Sequence, residues 1–266
     1  MKNRDRRLIA QVERDALDAT KDLSEALRKC IILGGKAGSV SLRECASREL
    51  TGYGPNDELP EYRTVGAPIK VDAITFNAQI RGQRISPRVL PAPLREAIDE
   101  SHSFRSGVGE LEGVVDQYRS QGHVRISLPM GADVADLLNY ANGDPDQKIT
   151  AVYYEVSIAS IRAILDRIRT TLVSLIAEMR AGMPDDEDVP SAGIADQAVS
   201  VAVYGKGSRV TVNNSQAKNR GKSTVSVGGA APDQTPFWTR SRKIGSFIVG
   251  IMTVAGAIAA IIAALN

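Results

Sequence analysis

The final 23 residues, Ile244–Asn266, carry no charged side chain, and a basic cluster of Arg240, Arg242 and Lys243 stands directly before them. Wound as a helix at about 1.5 Å per residue, Ile244–Leu265 reaches about 33 Å, enough to cross a hydrocarbon core of about 30 Å. The run therefore predicts one C-terminal transmembrane helix, with Phe247, Val249, Ile251, Ile258 and Ile262 among its anchoring apolar members. Trp238, beside Phe237, sits where an interfacial aromatic belongs, and the basic trio marks that side as cytoplasmic. Gly256, Ala260 and Ala264 recur every fourth residue, a ridge that lets helix backbones approach and tails associate. An Ala-rich apolar helix also produces that spacing from composition alone. The competing reading is a buried core helix; the polar spacer and flanking cations argue against it. No ionisable group lies within the span, so it holds no ion or proton relay of its own.

Charge is segregated along the chain. From Gln197 onward eight basic residues face one acid, Asp233, for a net +7, while the preceding 196 residues carry 25 basic and 30 acidic groups, a net −5. An acidic body followed by a basic stalk suits a stalk lying near an anionic cytoplasmic leaflet. The opening MKNRDRRLIAQVERD has cations but no apolar run after them, so it does not read as a secretory signal. Cys30 and Cys45 show no metal-ligand spacing and read as idle thiols in a reducing compartment.

The fold class reads as α+β: a mainly helical N-terminal domain with a small antiparallel sheet, then a short β-rich stalk and the tail helix. Residues 4–50 predict three helices, with stripes at Leu8, Ile9, Val12 and Leu17 and at Leu23, Leu27, Cys30, Ile31 and Leu33. Gly34 and Gly35 are expected to end the second helix, and Ser39 or Ser41 to cap the third. Gly54, Pro55 and Pro60 break helix through 52–63. Period-two alternation from Ile69 through Ile85 predicts a hairpin, with helices following at 92–100, 104–120 and 131–141 and a strand at 149–156. The strongest helix is expected at 157–181, where Ile158, Ile161, Leu165, Ile168, Leu172, Leu175 and Met179 alternate at spacings of three and four. That stripe reads as packing on the domain's own helices, with a coiled-coil seam the sharper alternative.

Residues 1–181 are thus expected to form the domain and 182–196 an acidic, Pro-punctuated linker. Residues 197–228 are expected to form a β-rich stalk with strands at Val199–Val203, Val210–Val212 and Val225–Val227. Hairpins that small bury too little to offset chain entropy, so they are either unfolded or completed by sister chains; the second, an oligomerisation segment, is favoured. Residues 229–243 make a juxtamembrane spacer and 244–266 the tail.

No catalytic constellation emerges. His102 and His123 stand apart without Cys or carboxylate at ligand spacing, and no P-loop or G-x-S-x-G elbow is present. Asp57, Glu58 and Glu61 cluster in a turn, where solvated acids are far commoner than chemistry. The expectation is a non-enzyme with no cofactor and no metal. Nucleic acid is disfavoured as a partner, since Tyr204 is nearly the only stacking residue of the basic stalk.

Three segments resemble the AbiTii-type domain of bacterial phage abortive-infection proteins. They are LSEALRKCIIL (23–33), SLRECASREL running into GYGPNDELPEYR (41–63), and YEVSIASIRAILDRIRTTLVSLIAEM (154–179). The resemblance spans roughly residues 5–181 and is most specific at 40–63 and 154–172. Gly52, Tyr53, Glu58, Leu59, Pro60, Tyr62 and Arg63 match its turn motif, with no catalytic role implied for any of them. What the resemblance implies is membership of a phage-defence system. Together with the tail it yields a single-pass protein of the bacterial inner membrane, its domain cytoplasmic, triggered by a phage-derived or host protein. In that reading oligomeric tails perturb the bilayer; the alternative is a tail-anchored adaptor that recruits a separate toxic effector.

Overall fold

The computed structural model describes residues 2–205, apart from 185, 186 and 188. Helices α1 (Lys2–Leu17), α2 (Leu23–Ala37) and α3 (Val40–Thr51) come first. After a 3-10 turn at Glu61–Arg63 follow strands β1 (Thr64–Gly66), β2 (Ile69–Thr75) and β3 (Gln79–Arg84), then a second 3-10 turn, Pro87–Val89. The chain continues through α4 (Ala92–Ala97), β4 (Ser101–Ser103), α5 (Val108–Gln117), β5 (His123–Ser127) and α6 (Gly131–Asn142). It closes with β6 (Gln147–Ser157), α7 (Ile158–Gly182) and α8 (Ala192–Tyr204). The α+β class is as expected, and so is the hairpin over 69–84.

The main sheet has the order β3-β2-β6-β5, antiparallel throughout, and β1 pairs with β4 in a small separate ladder. Because side chains alternate across a strand, Ile69, Val71 and Ala73 of β2 turn inward with Val152, Tyr154 and Val156 of β6 and Val124 of β5, all buried. Lys70, Asp72, Glu155 and Arg125 occupy the opposite, solvated face. Helix α6 lies against β6, its Val134, Ala135 and Leu138 joining the same core.

The long helix α7 organises the helical layer. Its buried stripe, Ile158, Ile161, Ile164, Ile168, Leu172, Leu175, Ile176 and Met179, packs on α1, α5 and α8. The face therefore serves the domain itself rather than a seam between chains. Arg169 reaches from α7 to the end of α1 and donates to the carbonyl oxygens of Asp15 (2.9 Å), Ala16 (3.2 Å), Asp18 (2.9 Å) and Lys21 (2.7 Å). One guanidinium thereby satisfies carbonyls that the end of a helix leaves without partners.

Three expectations need correction. Gly34 and Gly35 do not end α2; it runs to Ala37 and closes at Gly38, whose φ of 72° is the left-handed cap that glycine adopts without strain. Gly34 serves a different purpose, since a Cβ there would meet the Arg43 backbone nitrogen at 3.0 Å. Second, the predicted linker 182–196 ends early and Val199, Val201 and Val203 do not form a strand. They belong to α8, capped by Ser191 and closed by Gly205 at φ 63°. Ala195, Ala198 and Val199 are buried at helical spacing, and small residues permit close contact with α7. Third, β5 forms at His123–Ser127, between the helices expected at 104–120 and 131–141, where no strand was expected. The rest of the proposed stalk and the tail, 206–266, lie outside the described residues. Among the described residues no helix is long and apolar enough to cross a membrane.

Candidate functional site

The turn motif of residues 52–63 folds around a buried ion pair. Glu49, in the last turn of α3, is 5% exposed and Arg63 is fully buried; Arg63 Nη2 donates to Glu49 Oε2 at 2.6 Å. The other carboxylate oxygen, Oε1, accepts from the hydroxyls of Tyr53 and Tyr62, the latter at 2.7 Å. Arg63 Nη1 donates to the carbonyl oxygens of Phe104 (3.2 Å) and Ser106 (2.7 Å), and the guanidinium carbon stands 4.8 Å from the Tyr53 ring centroid. Arg63 Nε has no hydrogen-bond partner.

Local sequence places each part. Ser39 starts α3 by accepting from the Leu42 amide at 3.1 Å. On that helix Leu42, Ala46 and Glu49 recur on the buried face. Gly52 then breaks the helix at φ 95°, and its amide neighbour Tyr53 donates to the Arg105 carbonyl at 2.8 Å. A Cβ on Gly52 would come within 2.6 Å of that same carbonyl oxygen, and one on Gly107 would collide with the Leu50 carbonyl. Arg105 Nη1 donates back to the carbonyls of Gly54 and Asp57, the latter at 3.2 Å. Pro60 leads into the 3-10 turn that delivers Tyr62 and Arg63.

The motif residues thus divide. Gly52, Tyr53, Tyr62 and Arg63 converge, Leu59 and Pro60 are half-buried supports of the turn, and Glu58 is exposed. Sequence reasoning missed Glu49, Arg105 and Gly107. Glu49 left a signal, a carboxylate seven positions after Leu42 on the apolar face of its helix; Arg105 left none. The membrane-anchor positions Trp238, Arg240, Arg242, Lys243, Phe247, Val249, Ile251, Ile258 and Ile262 lie outside the described residues, as do Gly256, Ala260 and Ala264.

Chemically the centre is closed. Burial pushes the Tyr53 and Tyr62 hydroxyls up, and the Glu49 charge adds to it, so both stay protonated donors. Cys45 is pushed up to about 12, first by burial and then by Glu49, and Cys30 likewise by burial. Neither thiol is a ready nucleophile. Both Glu49 oxygens are engaged, so the arrangement ties α3, the 52–63 turn and the 104–107 segment into one joint.

A second charged group spans the open face of the sheet. Asp72 accepts from the Gly82 amide (2.7 Å), the Tyr153 hydroxyl (2.9 Å) and Arg125 (2.9 Å). Burial opposes ionisation of Asp72, but these three donors outweigh it and hold the carboxyl below its ordinary range. Glu155 sits between Lys70 at 3.5 Å and His123 at 3.7 Å. His102, on β4, stands edge-on to Phe104 at 4.8 Å and 6.1 Å from the Tyr154 ring, and burial lowers its pKa. Among the described residues no three His, Cys, Asp or Glu side chains converge as a metal site.

Searches of curated proteins and of solved structures return no match. The AbiTii family model matches residues 7–202. That stretch reaches beyond the 5–181 span of the resemblance and takes in most of α8, in keeping with its packing on α7. The chain belongs to the AbiTii family, which ties it to abortive-infection defence.

Proposed function

We propose that this protein is a membrane-anchored antiphage effector without enzymatic activity, its AbiTii domain a cytoplasmic sensor for a phage-derived or host protein. The observation that carries the reading is the uncharged run Ile244–Asn266 behind a basic cluster, following a family domain that ends near residue 202. Infection shifts the domain's conformation, and tails associated along Gly256, Ala260 and Ala264 perturb the bilayer and arrest growth. Two features support a signalling rather than a catalytic domain: both oxygens of the buried Glu49 carboxylate are engaged, and the cysteines are shielded.

Two experiments test this. Carbonate extraction followed by mass determination in detergent reads spanning and self-association together. Phage challenge of cells carrying a chain truncated before Ile244 is expected to show lost protection. Retained protection, with membrane potential unaffected by the intact protein, overturns the effector role. Replacing Ile244–Leu265 with an unrelated anchor separates the effector from an adaptor that merely positions a toxic partner, since only the adaptor keeps working.

A further inference from the structure

Between the second 3-10 turn, β6 and the end of α6 lies an open groove of about 240 Å³. Ile85, Val89, Leu138 and Ile149 supply its apolar walls, and Asn142 and Gln147 its polar lining. Val89 is 60% exposed, so none of the described residues covers it. The walls are fixed in advance: Asn139 donates to the Ile149 carbonyl at 2.9 Å and accepts from the Ile149 amide at 2.7 Å, clamping α6 to β6. Asn142 and Gln147 bracket Asp144 and Asp146, both exposed, and the carbonyl end of α6 adds partial negative charge there. The groove is therefore a small apolar seat with one acidic lip.

We propose that this seat holds Trp238 of the same chain, with Arg240 and Arg242 laid over the Asp144–Asp146 lip. The volume suits one large aromatic side chain rather than a helix of 22 residues, which rules the apolar tail itself out as occupant. An aromatic followed at two and four positions by arginines complements an apolar hole beside two carboxylates. Trp238 is 33 positions beyond Gly205, and a chain of that length spans about 30 Å as a coil and about 110 Å drawn out. A domain of about 200 residues is roughly 40 Å across, so the seat is within reach. The docking itself does not require the membrane reading. Its consequence rests on that reading: a docked aromatic-basic segment is withheld from the lipid interface until the domain releases it.

The chain contains one tryptophan, so its fluorescence reports Trp238 alone. Full-length protein in phosphatidylcholine nanodiscs is compared with Val89→Glu and with the double variant Asp144→Lys/Asp146→Lys, all at exposed positions, by iodide and acrylamide quenching. Wild-type Trp238 is expected to be protected, and each variant to quench at least about threefold faster, a change equivalent to about 0.7 kcal/mol. Quenching unchanged by both variants places Trp238 at the bilayer and overturns the proposal. Protection that falls on dilution places it on a second copy and overturns it as well. Insertion into the disc reports separately on the membrane reading, so the two failures are distinguishable.

Discussion

The hydroxyl of Ser39 donates to the Asp196 carboxylate at 2.6 Å across 157 positions of sequence, while its oxygen accepts from the Leu42 amide. One serine thus both starts α3 and fastens α8, the element from which the chain leaves the described domain. Ser41 adds a second 2.6 Å bond to the same carboxylate oxygen.

Ser39→Ala is expected to destabilise the domain by about 1–2 kcal/mol, because a cap and a tertiary bond go together. Asp196→Ala is expected to cost less than about 1 kcal/mol, since solvent reaches that carboxylate. Limited proteolysis between Gly182 and Ala192 should accelerate in both variants, and denaturant midpoints give the energies. Equal midpoints for Ser39→Ala and wild type would show that the cap contributes nothing.

The Glu49–Arg63 pair predicts an asymmetry. Arg63→Met strands a buried carboxylate and is expected to cost about 3–5 kcal/mol, whereas Glu49→Leu combined with Arg63→Met removes both charges and recovers part of the loss, the two tyrosine hydroxyls and the Phe104 and Ser106 carbonyls being left without these partners. Chemical denaturation of the single and double variants measures it. A double variant as unstable as the single one would mean that packing around the two tyrosines, not charge, sets the cost.

The elements that were legible in sequence are those whose pattern is long. The α7 stripe repeats over seven turns, so helix was the only period that fitted, and Ser39 capped α3 as its position implied. Val199, Val201 and Val203 misled because 198–203 is apolar at nearly every position except Ser200, and such a run satisfies periods of two and of 3.6 alike. What decides between them is packing of α8 on α7, α3 and α2, which buries Ala195, Ala198 and Val199 at helical spacing and which local sequence does not contain. Strand β5 has only Val124 and Ile126 to signal alternation. The ion pair was hidden for the same reason: Glu49 and Arg63 are in reach only once Gly52 turns the chain and the carbonyls of Phe104 and Ser106 arrive from forty positions away.

His102 sets a pH dependence. Burial holds its folded pKa below the ordinary 6.5, so the unfolded chain binds a proton that the folded one resists. Its contribution is present in full above pH 6.5 and is lost as pH falls towards the folded value. Stability measured from about pH 7 to about pH 5 should decline, and His102→Gln should flatten that slope by up to one proton. His123→Gln, on the open face of the sheet, is the control, because the chain has only these two histidines. An unchanged slope in His102→Gln would assign the pH dependence to carboxylates instead.

Two glycines separated by six positions should respond in opposite directions to the same substitution. Gly107 has an ordinary φ of −67°, so its need for glycine is spatial: a Cβ would strike the Leu50 carbonyl, which is backbone and cannot swing aside. Gly107→Ala must therefore part the 104–107 segment from the end of α3, loosening the carbonyls that hold Arg63, at a cost of about 1–3 kcal/mol. Gly113 lies within α5 with nothing within 4 Å of a built Cβ, so Gly113→Ala gains helix propensity and is expected to stabilise by about 0.5–1 kcal/mol. Thermal melts of the two variants decide the point. A destabilised Gly113→Ala would mean that its face of α5 is covered by a partner in the assembled protein.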